Sequence, residues 1–529
     1  MSAADASDAG QNAASTTPLA TTHAGGNSEQ EASRPPSPAM AESILKLATS
    51  RAIIIGVNFA CAPILGRLYL PHAFGVSGVL ATIISILAGF SSLTYVFAIP
   101  LARSSSERRD LFVLCALLSV PATAILAIAV LAGGGRWLAR TFHEPDVAEY
   151  AYFLPLMFFV AGARQLLDTT LACRRRYGAV AIRAVLDVTV TDTVQIGANF
   201  LGQRGSPAAL VTGNIAGNAV AALAFSVSSV REVFHQAEEP LRARLLRAAA
   251  ARHRKFPSVQ LWSVTLNAVT LGLPALVLGM RFSVETVGLY GMATTMIGLP
   301  MQLFVTGATQ VFYVEAGERV SHGEPPAPVV EQLVRVLSLL TPFPLAAVAL
   351  LGPLVFEIVL GPEWYAAGVF AQILFPWMAL AAFFSPLSSA WSIFARQGEG
   401  FSWNIVLLVA RFSALFFGGL FFGVWTTLAL FVAVSVVILG WLIYRTLSLF
   451  GVSRRWAGGV IARTYAEAFV LLLPSAVLYW WLRAPSAALV AMAVATVTYG
   501  FVLYRRHPEV VKPLLSRFFP RRATPEGVN

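Results

Sequence analysis

Arg164 and Asp168 stand one helical turn apart, and Arg183, Asp187, Thr191, Gln195 and Asn199 follow at steps of four, with Asp192 beside them. A helix turns every 3.6 residues, so steps of four drift slowly and still define one broad polar face. Guanidinium groups grip phosphate-like anions through paired donors, and carboxylates take up protons or cations. A second set, Gln260, Ser263, Asn267 and Thr270, recurs at steps of three and four, and Thr295, Gln302, Thr306 and Gln310 form a third. Arg411 has no acidic residue within a turn, which makes it the leading candidate for holding an anion, with Glu467 as a distant candidate partner. Arg335 is a second, weaker candidate because Glu331 lies one turn before it. Arg164 and Arg183 admit two readings, ligand contact or a lock between helices through Asp168 and Asp187. Asp168, Asp187 and Asp192 are candidate ion-coupling positions.

These residues interrupt long apolar segments. About fourteen stretches between Ser43 and Tyr504 are each long enough to cross a bilayer. Lipid offers the backbone no hydrogen-bond partner, so such segments span as helices, and they are too long and continuously apolar for barrel strands. The expected fold is an all-α integral membrane protein of about fourteen transmembrane helices. An ionisable side chain at mid-membrane costs about 2.5–3.5 kcal/mol on insertion scales, so each one calls for a partner, a wet cavity or a function.

Composition agrees, with 57% hydrophobic and 12% charged residues among 529. The net charge of +11 does not indicate nucleic acid, because no soluble domain presents a basic face. The basic residues fall in alternate loops: Arg103, Arg108 and Arg109; Arg174 to Arg176; Arg231 to Lys255; Arg319; Arg396; Arg445 to Arg463; and Arg505 to Arg522. The intervening loops hold Arg67, Arg136, Arg140, Arg204, Arg281 and Arg483. By the positive-inside bias, both termini are expected on the cytoplasmic side of a bacterial inner membrane. No phosphate-binding loop or paired-histidine zinc pattern occurs, and no loop is large enough for a catalytic domain, so neither an enzyme nor a cofactor or metal is expected. The seven histidines, His72 among them, fall in loops or tails, and Cys61, Cys115 and Cys173 read as packing residues.

The organisation reads as a disordered tail over 1–42, a first six-helix lobe over 43–230, a basic loop over 231–256, a second lobe over 257–446, two further helices over 447–504, and a basic tail over 505–529. In the loop, Leu241, Leu245 and Ala249 oppose Arg244, Arg247, Arg252 and Arg254, which predicts an amphipathic helix on anionic lipid. Gly75, Gly78, Thr82 and Ile84 recur at an offset of 213 residues as Gly288, Gly291, Thr295 and Ile297, supporting two related lobes around a central cavity. Gly213 and Gly217 read as helix-packing residues.

The run Gly66-Arg67-Leu68-Tyr69-Leu70-Pro71-His72-Ala73-Phe74-Gly75 resembles the first outer loop of the bacterial polysaccharide transporter family, the Wzx-type flippases. The resemblance continues through Tyr95 with Ala98-Ile99-Pro100, Lys255-Phe256-Pro257, Gly288-Leu289-Tyr290, Gly298-Leu299-Pro300, Gln310-Val311-Phe312, Gly361-Pro362-Glu363-Trp364 and Ala367-Gly368. Thr94 and Val96 depart from the charged pair the family often carries there. The motif glycines and prolines read as turns and kinks, and Trp364 as an interfacial anchor.

The resemblance implies the fold of the multidrug/oligosaccharidyl-lipid/polysaccharide exporter superfamily, two six-helix lobes around a cavity plus two C-terminal helices. It implies an undecaprenyl-pyrophosphate-linked oligosaccharide as cargo, with anionic lipids, a polysaccharide polymerase and chain-length proteins as partners of a monomer. The cavity contacts are then expected from Arg164, Arg183, Arg335, Arg411, Gln195, Asn199, Gln260 and Asn267. A drug or cation antiporter and a lipid II flippase are alternatives within the superfamily, and a membrane polymerase or ligase is one outside it.

Overall fold

The computed structural model describes residues 38–506 except Arg175, Gln203, Arg204 and 236–239, with side chains from residue 53 onward save a few in 177–310. The expected tails over 1–42 and 505–529 lie outside the described residues except at 38–42 and 505–506. The described residues from Lys46 onward form one compact unit. Every regular element among the described residues is helical.

The long helices are α1 (Pro38–Leu68), α2 (Pro71–Ser91), α3 (Ser105–Phe142), α4 (Leu154–Cys173), α5 (Tyr177–Phe200), α6 (Pro207–His235), α7 (Phe256–Arg281) and α8 (Val284–Ser321). They continue as α9 (Ala327–Leu360), α10 (Pro362–Ile393), α11 (Gln397–Phe421), α12 (Val424–Leu449), α13 (Arg454–Trp480) and α14 (Pro485–Arg506). Ten are long and apolar enough to cross a membrane, or eleven when α4 is joined to the short helix Pro145–Ala151, from which it bends by 53°. In α5 the charged residues Arg183, Asp187 and Asp192 dilute the apolar run, which is why it falls outside that group.

Local chemistry sets the ends. Proline, which lacks an N–H and has its φ already helical, stands at the first position of α2, α6 and α14. Ser104, Ser206, Ser283 and Ser453 each accept a hydrogen bond from a first-turn amide of the helix they precede. The apolar run that opens with α2 is broken: α2 stops at Ser91, Leu93 and Thr94 take left-handed backbone, and Tyr95–Leu101 forms a tight 3₁₀ turn. Thr94 Oγ1 donates to the Phe256 carbonyl at 3.0 Å, so this break docks the start of α7.

The first helices share a core of Val76, Val79, Leu80, Phe142, Val147, Leu154 and Phe158, which also takes in Val284 and Val287 from α8. A larger core joins α7 to α12 through Leu278, Ile297, Phe370, Leu374, Leu415 and Phe431. Helices α13 and α14 attach to α9, where Tyr499 Oη donates to the Leu339 carbonyl at 2.6 Å and Trp480 Nε1 to that of Leu350 at 2.9 Å.

The basic loop contains the helix Ala243–Arg252, as the pattern predicts. Arg244, Arg247 and Arg254 are exposed while Ala249 is buried, and the helix packs on α3. Arg252 Nη1 meets Glu107 Oε1 at 2.7 Å, His253 Nε2 meets it at 3.3 Å, and Tyr95 Oη donates to the Ala250 carbonyl at 3.2 Å.

The two groups of helices meet where α2 crosses α8. A Cβ on Gly75 would fall inside the carbonyl oxygen of Val284, and a Cβ on Gly288 inside that of Pro71. Pro71 and Val284 are themselves 213 residues apart, so the faint repeat is a pair of reciprocal contacts at one crossing. Gly75→Ala and Gly288→Ala should each force the helices apart and destabilise the protein by about 1–3 kcal/mol, the usual cost of overpacking. Gly291→Ala, which meets nothing within 4 Å, should leave thermal unfolding of the purified protein unchanged.

Candidate functional site

Below this crossing lies a cavity of about 490 Å³ between the two groups of helices. Its polar lining is Asn58 of α1, Ser77 and Thr82 of α2, Thr191, Asp192 and Gln195 of α5, Asn214 of α6, and Tyr290, Thr294 and Thr295 of α8. A second cavity of about 430 Å³, beside α4, shares the walls Ala81 and Asn214 with the first and carries Arg164, Gln165, Asp168, Thr169 and Asn218.

The first cavity sets these amides and hydroxyls among apolar walls such as Phe74, Leu271 and Met296 and is nearly uncharged, and its hydroxyls are oriented by their own helices. Thr82 Oγ1 donates to the Gly78 carbonyl at 2.7 Å and Thr294 Oγ1 to that of Tyr290 at 2.9 Å. Such back-bonded hydroxyls keep lone pairs for an incoming donor. The Asn214 amide donates to the Leu210 carbonyl at 3.0 Å and approaches Ser77 Oγ at 3.4 Å. Gln195 Nε2 donates to the same Leu210 carbonyl at 3.1 Å, while the Gln195 backbone carbonyl accepts from the Tyr69 hydroxyl. Asp192 is 7% exposed, hydrogen-bonds with the Cys61 thiol, and leaves Oδ2 without a protein partner.

The α4–α5 charges form a closed set. Arg183 Nη1 lies 3.0 Å from Asp168 Oδ1, and Arg164 Nη1 lies 3.5 Å from Asp187 Oδ2 and 3.8 Å from Asp168 Oδ2. Arg183 is 1% exposed, and its Nε donates to the Ala221 carbonyl of α6. Of the two readings left open by the spacing, the helix lock describes Arg183. Arg164, whose side chain is 37% exposed, both belongs to the lock and faces the second cavity.

The other arginines are placed differently from expectation. Arg411 is 8% exposed, donates from Nε to Ser435 Oγ at 3.0 Å, and packs against the rings of Trp377 and Phe431 at 5.2 and 5.4 Å. It does not line either cavity. Its partners are a hydroxyl and two aromatic faces on α10 and α12, which a search for nearby acids could not reveal. Glu467, offered as its distant partner, pairs with Arg463 at 3.0 Å. Arg335 is exposed above the Trp456 ring at 5.3 Å. Gln260 and Asn267 are exposed on α7, away from the lining of both cavities. Asn199 is buried and accepts from the Gly205 amide at 3.3 Å, outside the cavity lining.

Sequence reasoning missed Asn58, Ser77 and Thr294 as lining residues, and also Asn214, which stands beside the packing residue Gly213. A lone asparagine in the apolar α1 was the available signal for Asn58. Thr82, Gly78 and Gly291, noted only as a repeat, line the cavity, as does Thr295, which the repeat shares with the third polar set.

Above the cavity the motif runs of the two halves interlock. Trp364 Nε1 donates to the Gly66 carbonyl at 2.7 Å, its ring meets Phe74 edge-on at 5.4 Å, and Arg67 Nη2 donates to the Ile358 carbonyl at 2.8 Å. Trp364 is 0% exposed, so it is a buried tie between helices and not the interfacial anchor its type suggested.

Two helix groups around a cavity, with a C-terminal helix pair attached, define a multi-pass helical membrane protein. The model of the family described as polysaccharide biosynthesis protein matches residues 64–368, more than half of the chain, and the protein belongs to that family. Among solved structures, the lipid II flippase MurJ in an inward closed conformation is similar with a TM-score of 0.67 at 8% identity, over 88% of this chain and 99% of that one. An inward-facing multidrug resistance transporter of the MATE family matches with a TM-score of 0.53 at 14% identity, over 77% of this chain and 99% of that one. No curated protein sequence matches. The family is thus that of polysaccharide biosynthesis proteins, and the fold is one shared with a lipid II flippase and a multidrug transporter.

Arg183→Ala removes a buried guanidinium, leaves the Ala221 carbonyl without its donor and Asp168 with Arg164 alone, and should cost about 1–3 kcal/mol in thermal unfolding. Arg164→Ala, at a partly exposed pair, should cost about 1 kcal/mol or less in the same thermal measurement. Arg411→Ala should destabilise through lost ring contacts and an orphaned Ser435, and should not act as a clean defect in anion binding.

Proposed function

We propose that the protein carries undecaprenyl-pyrophosphate-linked oligosaccharide repeat units from the cytoplasmic to the periplasmic leaflet during synthesis of a surface polysaccharide. The observation that carries this reading is the cavity of about 490 Å³ walled by amides and hydroxyls, joined through Ala81 and Asn214 to the cavity where Arg164 is exposed. Sugar hydroxyls need a dense set of neutral hydrogen-bond partners, and the neighbouring guanidinium suits a diphosphate oxygen. The polyprenyl tail needs no polar site, because it can stay in the bilayer beside the helices.

The positive-inside bias puts the arginine-rich loops in the cytoplasm of a bacterial inner membrane, with both termini on that side. On that orientation the α2–α8 crossing, at the N-terminal ends of both helices, is the periplasmic closure. The two related lobes, 43–230 and 257–446, would rock about the cavity, as parallel repeats do in other transporters. Opening toward the periplasm then requires the reciprocal Gly75–Val284 and Gly288–Pro71 contacts to part. The exposed Arg244, Arg247 and Arg254 suit anionic lipid at the inner surface.

A drug or cation antiporter calls for an acidic cavity, whereas Asp192 is the one carboxylate among the described lining residues of the central cavity. We assign Asp192 as the principal candidate for coupling transport to an ion or proton gradient. Asp168 and Asp187, already paired with arginine, are secondary candidates.

In cells lacking the protein, the lipid-linked repeat unit should accumulate in the cytoplasmic leaflet, and the wild-type chain should restore its transfer. Gln195→Leu combined with Asn214→Leu should lower transfer at least tenfold while the protein stays folded. An unchanged leaflet distribution in the deleted strain would refute the reading. In proteoliposomes, Asp192→Asn should abolish the response of transport to an imposed ion or pH gradient; wild-type transport indifferent to every gradient removes the coupling role.

A further inference from the structure

The first turn of α2 meets the turn after α3 on the side opposite the arginine-rich loops. There His72 Nε2 stands 3.2 Å from Glu144 Oε2 and 3.8 Å from Asp146 Oδ2. One donor atom from each of the three residues lies within 4.8 Å of the other two. Glu144 precedes the short helix Pro145–Ala151 but makes no capping hydrogen bond, so its carboxylate is free for His72. Among the described residues neither carboxylate has a lysine or arginine partner, so two negative charges converge on one imidazole.

This donor set has the composition and dimensions of a cation site. Zinc bonds of about 2.0–2.1 Å place tetrahedral donors roughly 3.3 Å apart, close to the His72–Glu144 spacing. A rotation of the Asp146 carboxylate, whose side chain is 39% exposed, closes the remaining gap. Imidazole favours borderline transition-metal ions over Ca²⁺ and Mg²⁺, which prefer oxygen alone. His72 is 37% exposed, which leaves the outer face open to solvent and to a water ligand. The separation of His72 from Glu144 and Asp146 along the chain hides the set from any search for closely spaced ligands.

We propose that His72, Glu144 and Asp146 bind a divalent transition-metal ion with the chemistry of Zn²⁺, and that the bound ion ties the first turn of α2 to the turn after α3. His72 follows Pro71, whose carbonyl packs on Gly288, so the ion would brace the same crossing that closes the cavity. This assignment goes beyond the transport reading and does not depend on it.

The test is calorimetric titration of Zn²⁺ into the full chain purified in detergent, with thermal unfolding as a second readout. The wild type should bind one more equivalent than the His72→Ala/Glu144→Gln/Asp146→Asn variant, and millimolar Ca²⁺ should not displace it. Zn²⁺ should raise the unfolding temperature of the wild type and not that of the variant. His143→Ala, beside the cluster, should leave both responses intact. Equal stoichiometry and affinity in wild type and variant, or loss of binding only with His143→Ala, overturns the site. If the triple variant does not fold, Glu144→Gln alone is read by the same criteria, with at least a tenfold weakening expected.

Discussion

The crossing of α2 and α8 is the constraint around which the rest is arranged. Two helices can approach until their backbones touch only where both lack side chains at the contact, and here the lack is reciprocal, Gly75 against Val284 and Gly288 against Pro71. Because α8 enters that deeply, Val284 and Val287 join the core of the first helices while the remainder of α8 belongs to the second group. One helix is therefore shared between two cores. The space beneath the contact becomes the central cavity, and the residues that continue the repeat, Gly78, Thr82, Gly291 and Thr295, become its walls.

Charge and ligand space are largely separated. The arginines of α4 and α5 are neutralised by Asp168 and Asp187, Arg164 and Asp168 keep a face toward the second cavity, and Asp192 is the one charge of these helices that reaches the central cavity. An arginine in lipid needs partners more than it needs a substrate, and helices α4, α5 and α6 supply them through Asp168, Asp187 and the Ala221 carbonyl. Arg411 illustrates the same economy with a hydroxyl and two ring faces in place of a carboxylate. The central cavity is left to amides and hydroxyls, groups that cost less to bury and recognise neutral donors and acceptors.

The helical class and the polar stripe on α5 were legible in the sequence because apolar length and four-residue spacing are direct consequences of lipid and of helix geometry. The stripe residues Thr191, Asp192 and Gln195 do line the cavity. The role of Arg411 was not legible, since its partners Trp377, Phe431 and Ser435 come from other helices and carry no opposite charge. Gln260 and Asn267 form as regular a stripe as α5 does, yet they are exposed and outside the lining of both cavities; periodicity identifies a face and not what the face meets. The break after Ser91 escaped notice because Leu93 and Thr94 adopt left-handed backbone that their residue types disfavour, held by contacts from a distant segment.

The helix Ala243–Arg252 is anchored to the first group by Glu107, which pairs with Arg252 and His253, and by Tyr95, which donates to the Ala250 carbonyl, while Thr94 extends the anchor to Phe256. The described stretch from Ala243 to Phe256 is thus tied down at both ends. The wide turn Phe256–Gln260 follows at once, and Ala275, Leu276 and Met280 of α7 pack on the core of the first helices. The passage from one half to the other is therefore a bonded seam, with α7 laid along the first group while its Leu278 already belongs to the second core.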